Sequence, residues 1–198
     1  IDDVRDWVLS GAHSFVANPF YKTPRKNCSH NQDYDELDLT ILPEDYLPRA
    51  NYVPACDRKE YFRRTPKVPW TDDQGEKRPV TEFYRHGNRR GIGSSGNRTM
   101  IPFVMANKTS HIDGVFSAVF RDQDMMLLFN SLCAAVPFDF FIKTTGKGDL
   151  RNELLSQIAI PNISETAERQ LVLRKLLLNC LTTHYAELWE DGWQDTFI

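Results

Sequence analysis

Seven prolines fall between Tyr21 and Pro79, at Pro24, Pro43, Pro48, Pro54, Pro66, Pro69 and Pro79. Each removes a backbone donor and fixes φ, so neither a long helix nor a central strand can run through these residues. The same stretch carries Tyr34, Leu37, Leu39, Ile41, Tyr46, Leu47, Tyr52 and Tyr61. Apolar side chains at that density need a surface to cover them, so the expectation is an ordered, extended arm packed on another body. Within it Asp57 to Arg64, free of proline, is expected to form one short helix.

The flanking segments have a different character. Ahead of the arm, Trp7-Val8-Leu9 and Phe15-Val16 are short apolar runs broken by Gly11 and Pro19, which read as strand, turn, strand. Beyond it, Thr99 to Met105 and Val115 to Phe120 read as two buried strands around a polar turn. Met125 to Ala135 is apolar at nearly every position and fits a buried helix. Phe138 to Ile142 reads as a strand, Lys143 to Gly148 as a turn, and Asp149 to Leu155 as a short helix leading into Ile158-Ala159-Ile160-Pro161. Ser164 is a helix N-cap, and the spacing of Leu171, Leu173, Leu176, Leu177, Cys180, Leu181, Tyr185 and Leu188 predicts one helix reaching about Trp189. The expected fold is α+β: a small mixed or antiparallel sheet, a buried helix, a long C-terminal helix and the proline-rich arm. Residues 1–80 would hold the strand-turn-strand and the arm, and residues 81–198 an α+β domain.

A length of 198 residues suffices for one such core, and 41% hydrophobic content is ordinary for a folded chain. The net charge of −3 gives the surface no general attraction to nucleic acid, so any such binding must come from local basic patches. Cys28, Cys56, Cys133 and Cys180 form no CxxC pair and are expected to be reduced, buried thiols. No run approaches the length of a membrane span, and no charged-then-apolar leader opens the chain, which points to a cytoplasmic protein with no membrane partner. The start at Ile1 without methionine reads as a piece of a longer protein.

The strongest basic window lies between Thr81 and Ser110, where Arg85, Arg89, Arg90, Arg98 and Lys108 face the single acid Glu82, a net local charge of +4. Within it, residues 85–98 are rich in glycine and read as a loop. Glycines allow close backbone approach and arginines pair with phosphates or guanine edges; the alternative is a solvated loop with incidental charge. Lys143, Thr144, Thr145, Lys147 and Arg151 form a second candidate phosphate cluster, or else a plain polar turn. Neither matches GxxxxGK[ST] or GxGxxG. The five histidines lack metal-site spacing, and the acid pairs lie in proline-rich loops. Asn18-Pro19-Phe20-Tyr21 approaches the Asn-Pro-Pro-Tyr/Phe motif of amino-group methyltransferases but lacks its second proline, and no glycine-rich cofactor strand precedes it. A turn is the simpler reading.

Several strings together carry a family resemblance: Asp6 to Gly11, Asn18 to Arg25, Asp45 to Arg49, Asn51 to Pro54, Asn97 to Pro102, Thr144 to Leu150 and Leu178 to Thr183. They resemble the C-terminal half of large adenine-specific methylases of the type IIG-like class, as in the DISARM-like restriction-modification systems of bacterial phage defence. The resemblance implies a parent enzyme that transfers a methyl group from S-adenosylmethionine to adenine N6. This chain would be its target-recognition region on double-stranded DNA, with no cofactor of its own. The catalytic and cofactor motifs have no matching positions here. Partners implied are duplex DNA, the methylase core and other defence-system subunits. The rival reading is a protein-interaction module that docks that core or a partner subunit.

Overall fold

The structure, a computed structural model, describes residues 2–30, 32–93 and 95–197. In chain order its elements are β1 (Val8–Leu9), β2 (Lys22–Pro24), β3 (Tyr34–Glu36), α1 (Arg58–Arg64), β4 (Arg85–Arg89), β5 (Pro102–Met105), β6 (Ser110–His111) and β7 (Val115–Ala118). The helices α2 (Gln123–Ala134), α3 (Val136–Thr144), α4 (Asn152–Leu155), α5 (Glu165–Asn179) and α6 (Ala186–Gly192) follow. The class is α+β, with helices gathered on small, largely antiparallel sheets.

The central sheet runs β5-β4-β7, antiparallel throughout, with His86 opposite both Val104 and Ala118. Its middle strand is the first half of what the glycine content marks as a loop. Gly87 is there for clearance rather than flexibility: a Cβ would come within 2.8 Å of Met105 Cγ and 3.0 Å of Phe103. The fold supplies partners for part of the polar side chains of β4, while Arg85 Nε, His86 Nε2 and Asn88 Nδ2 have none among the described residues. Asn88 Oδ1 accepts from the Ile101 N–H at 3.1 Å, and Asn130 of α2 donates to His86 Nδ1 at 2.8 Å and to the Phe103 carbonyl at 2.9 Å.

The predicted buried helix is α2, capped by Asp122, whose carboxylate accepts from the Met125 N–H. The Ser164 cap is also in place, accepting from the Ala167 N–H at 3.3 Å, as is the short helix α1 behind Asp57. Besides β4, three further elements differ from the sequence reading. Residues 4–20 give two 3₁₀ turns around the two-residue β1, which pairs in parallel with β6, instead of a strand-turn-strand. Phe138 to Ile142 lies in helix α3, not a strand: Pro137 in the first helical turn needs no donor there and is pre-set in φ, which overrides the aromatic β preference. The C-terminal helix stops at Asn179, turns through Thr183–Tyr185, and resumes as α6. It breaks because the Asn179 side chain and the Tyr185 hydroxyl both bind Val104, and the Thr183 N–H donates to the Glu44 carbonyl.

Two hydrophobic clusters hold the protein. The larger joins Trp7, Leu9 and Phe20 of the N-terminal segment and Leu47 of the arm to Phe103, Met105, Leu127, Leu176, Tyr185 and Leu188. These four buried side chains from the first fifty residues therefore share a core with the sheet and helices. The smaller cluster packs Ile92 and Met100 against Phe129, Cys133, Ile142, Leu150, Leu154 and Leu155. All four cysteines are free thiols; Cys133 is buried, whereas Cys28, Cys56 and Cys180 are only partly covered, short of the burial expected. Among the described residues no single helix is long and apolar enough to cross a membrane.

Candidate nucleic-acid interface

The basic window does not form one exposed loop. Arg85 opens β4 and is 2% exposed, its Nη2 donating to the Thr109 carbonyl and hydroxyl at 2.5 and 3.1 Å. Burial lowers its pKa to about 10, still leaving a cation. This corrects its assignment to a DNA-contacting surface: a guanidinium enclosed this way cannot reach a duplex. Arg89, at the other end of the strand, spends its Nε on the Gly11 carbonyl at 2.6 Å and its Nη2 on Ser14 at 2.5 Å. Gly11 is a glycine because of that contact, since a Cβ would sit 3.0 Å from Arg89 Cγ and 3.1 Å from the Gly114 carbonyl. Arg98 donates from Nη2 to the Ala134 carbonyl, the last of α2, at 2.7 Å, with its Nε 3.4 Å from Asp139. It is a staple on a helix C-terminus, where a cation is favoured. Much of the +4 window is thus spent inside the molecule.

The second basic segment, far away in sequence, is drawn onto the first. Gly91 and Asp149 form an antiparallel bridge, the Ile92 N–H donates to the Gly148 carbonyl at 3.0 Å, and the Leu150 N–H donates to the Arg90 carbonyl at 2.7 Å. Arg90 ties the pair with Nη1 at 2.8 Å from Asp149, and Lys143 Nζ reaches the Gly96 carbonyl at 3.4 Å. Ile92 and Leu150, buried in the smaller core, pin both strands from below. Each such side chain contributes about 1.5–3 kcal/mol on burial. Along this joined rim Lys147 and Arg151 are exposed, and among the described residues neither has an ion-pair partner. The Thr144 and Thr145 hydroxyls donate to the Phe141 and Ile142 carbonyls, both at 2.7 Å, leaving only their lone pairs for a partner.

Beside the rim lies an open cleft of about 650 Å³ between Arg89, Arg90 and Gly91 on one side and Phe15, Tyr21, Lys22 and Tyr52 on the other. Phe15 and Tyr21 rings lie 5.1 Å apart, and Lys22 Nζ sits 4.8 Å over the Tyr21 ring. Sequence reasoning did not place these four residues in a site. The available signal was Tyr21-Lys22 in the turn after Asn18, an aromatic next to a cation, which joins Arg89 only through the fold. The turn itself is what Asn18 makes: its Oδ1 accepts from the Phe20 N–H at 2.7 Å, and Ala17 has φ of 64°.

Lys108, also at φ of 64°, is not brought to this face. It lies in the turn after β5, at the Arg85 end of β4, in a separate cleft with Arg58, Tyr61 and Phe62. Four residues of extended strand, about 13 Å, separate the two ends. The glycine-rich stretch after β4 leads into β5 and not into a helix N-terminus, so these residues do not fit a nucleotide-type cofactor cradle.

Comparison with known proteins gave no match to a family model, to a curated protein or to a solved structure.

Proposed function

We propose that the chain is the DNA-engaging target-recognition part of a site-specific adenine-N6 DNA methyltransferase acting in restriction-modification or phage defence. S-adenosylmethionine and the methyl transfer would belong to a catalytic core outside these residues. One observation carries the reading from the structure side: two basic segments more than fifty residues apart are zipped into a single rim by the Gly91 to Asp149 bridge. Lys147 and Arg151 stand free on it, and an aromatic, lysine-bearing cleft lies alongside. Exposed cations supply phosphate contacts, and the rigid backbone beneath fixes their register on a duplex. The sequence resemblance supplies the chemistry of the parent; Arg90, Lys143, Lys147 and Arg151, with Lys22 across the cleft, are the DNA-positioning residues.

The test is fluorescence anisotropy of the chain with duplex DNA across a salt series, beside a Lys147→Ala/Arg151→Ala variant. Binding that weakens steeply with salt is expected, with a log–log slope shallower by about one for each phosphate contact removed. Affinity that does not respond to salt would sink the reading.

A second reading, a module that docks the methylase core or a partner subunit, is favoured by the apolar side chains of α3. Val136 and Phe140 are 69% and 65% exposed, and Phe141 of the same helix is exposed as well. Retention of a partner subunit together with loss of DNA binding at low salt would select it.

A further inference from the structure

The buried Arg85 faces an open cavity of its own, about 580 Å³, bordered by α1 and the chain that follows it, by β6 and by β7. Its lining includes three cations, Arg64, Lys67 and Arg85, and among the described residues no acid, although Arg64 Nε is paired with Glu60 just outside it at 2.6 Å. Tyr61 and Trp70 provide flat apolar walls, and Trp70 is held edge-to-face on Phe83 with centroids 6.0 Å apart.

Two polar groups in that lining have nothing to bind. Arg85 Nε and Ser110 Oγ are buried and have no hydrogen-bond partner among the described residues. Arg85 Nη2 is already committed to Thr109, which fixes the plane of the guanidinium. The ionisable groups that act on Arg85 are the phenols of Tyr61 and Tyr185, and no carboxylate is among them. The neighbouring His111 is fully used: Nδ1 donates to the Ile112 carbonyl at 2.9 Å and Nε2 accepts from Ser117 Oγ at 2.8 Å. Burying a guanidinium with no counter-charge costs several kcal/mol, which an arriving anion offsets. A cavity of this size suits a small molecule rather than a chain.

We propose that this cavity binds a small molecule carrying a carboxylate or phosphate on an aromatic body. Arg85 and Ser110 take the anionic oxygens, Lys67 adds positive charge to the lining beside the Glu60-paired Arg64, and Trp70 and Tyr61 hold the ring. The site is at the opposite end of β4 from the DNA rim, so it stands or falls independently of that reading.

The probes are benzoate and phenyl phosphate, which share a ring and differ in the anion, with neutral benzamide as control. Titration calorimetry on the whole chain should give saturable heat with at least one anion and none with benzamide. Ser110→Ala removes a hydroxyl that has no partner among the described residues, so it should melt normally and bind about tenfold more weakly. Arg85→Met should abolish binding; should it fail to fold, Ser110→Ala and an Arg64→Ala/Lys67→Ala pair decide the matter. Benzoate alone would identify a carboxylate ligand and phenyl phosphate alone a phosphate one. No heat with either anion, equal heat with benzamide, or undiminished binding by the Ser110 variant would overturn the proposal.

Discussion

The side-chain amide of Asn179 pairs with Val104 as a neighbouring strand would: its Oδ1 accepts from the Val104 N–H at 2.8 Å and its Nδ2 donates to the Val104 carbonyl at 3.2 Å. β5 is an edge strand, and buried edge groups left unpaired are costly. A residue on a helix thus finishes the sheet, and the helix ends where that duty begins. The Tyr185 hydroxyl adds a second donor to the same carbonyl at 2.9 Å.

Asn179→Ala should therefore destabilise the fold by about 2 kcal/mol, since the buried Val104 N–H loses its partner while the carbonyl keeps only the Tyr185 hydroxyl. Asn179→Asp should fare no better: it keeps an acceptor for the N–H but sets an anion against the carbonyl. Urea unfolding of both variants checks this, and a change near zero would show that water replaces the amide freely.

Asp139 plays the corresponding role for the rim. Its Oδ1 accepts from the Thr99 and Met100 N–H groups at 2.8 and 2.6 Å and lies beside Arg98. Asp139→Ala is expected to cost about 2–4 kcal/mol and to loosen the segment preceding Thr99. Limited trypsin digestion should then cut after Arg90 and Arg98 well before the rest of the chain. Unchanged protection would mean that the buried Ile92 and Met100 hold the segment unaided.

Acid should unfold the protein through its buried histidines. Burial pushes His86 down from 6.5 to about 3, and lowers His13 and His111 as well. The unfolded chain then binds more protons below pH 6.5, so stability is full above that value and lost as pH falls towards 3. The slope is about 1.4 kcal/mol per pH unit for each histidine fully engaged. Urea midpoints measured between pH 7 and about pH 4 should fall steadily. A flat profile over that range would contradict the burial of His86.

Lys175 predicts a second window. It is 2% exposed beside Cys133 and Cys180, with no partner for its Nζ among the described residues, and burial lowers it from 10.5 to about 7. Here too the unfolded chain holds more protons, so this group makes stability rise with pH from about 7. The rise should stop near 9, where the two cysteines, pushed up to about 12, begin to act in the opposite sense. Lys175→Met should add on the order of 2 kcal/mol at neutral pH and flatten that rise. A variant less stable than the parent would mean that the ammonium has a partner in solution.

The parts of this protein legible in the sequence are those set by local chemistry. Proline spacing rules out long elements in the arm, the proline-free run from Asp57 to Arg64 forms its short helix, the cap Ser164 starts its helix where capping physics places it, and unbroken apolar density marks α2 as buried. Charge content located two basic segments. None of these depends on a distant residue.

What only the tertiary structure decided are the features that depend on a partner far along the chain. Gly87 reads as loop until Met105 and Phe103 are seen to fill the place of its side chain. Arg85 reads as surface charge until Thr109 and the cavity enclose it, and α5 reads as continuous until Val104 claims Asn179. The meeting of Gly91 with Asp149, and of Tyr21 with Arg89, has no local signature at all. Composition and period report which faces a segment wants buried; which polar group satisfies which is settled only when those faces close on one another.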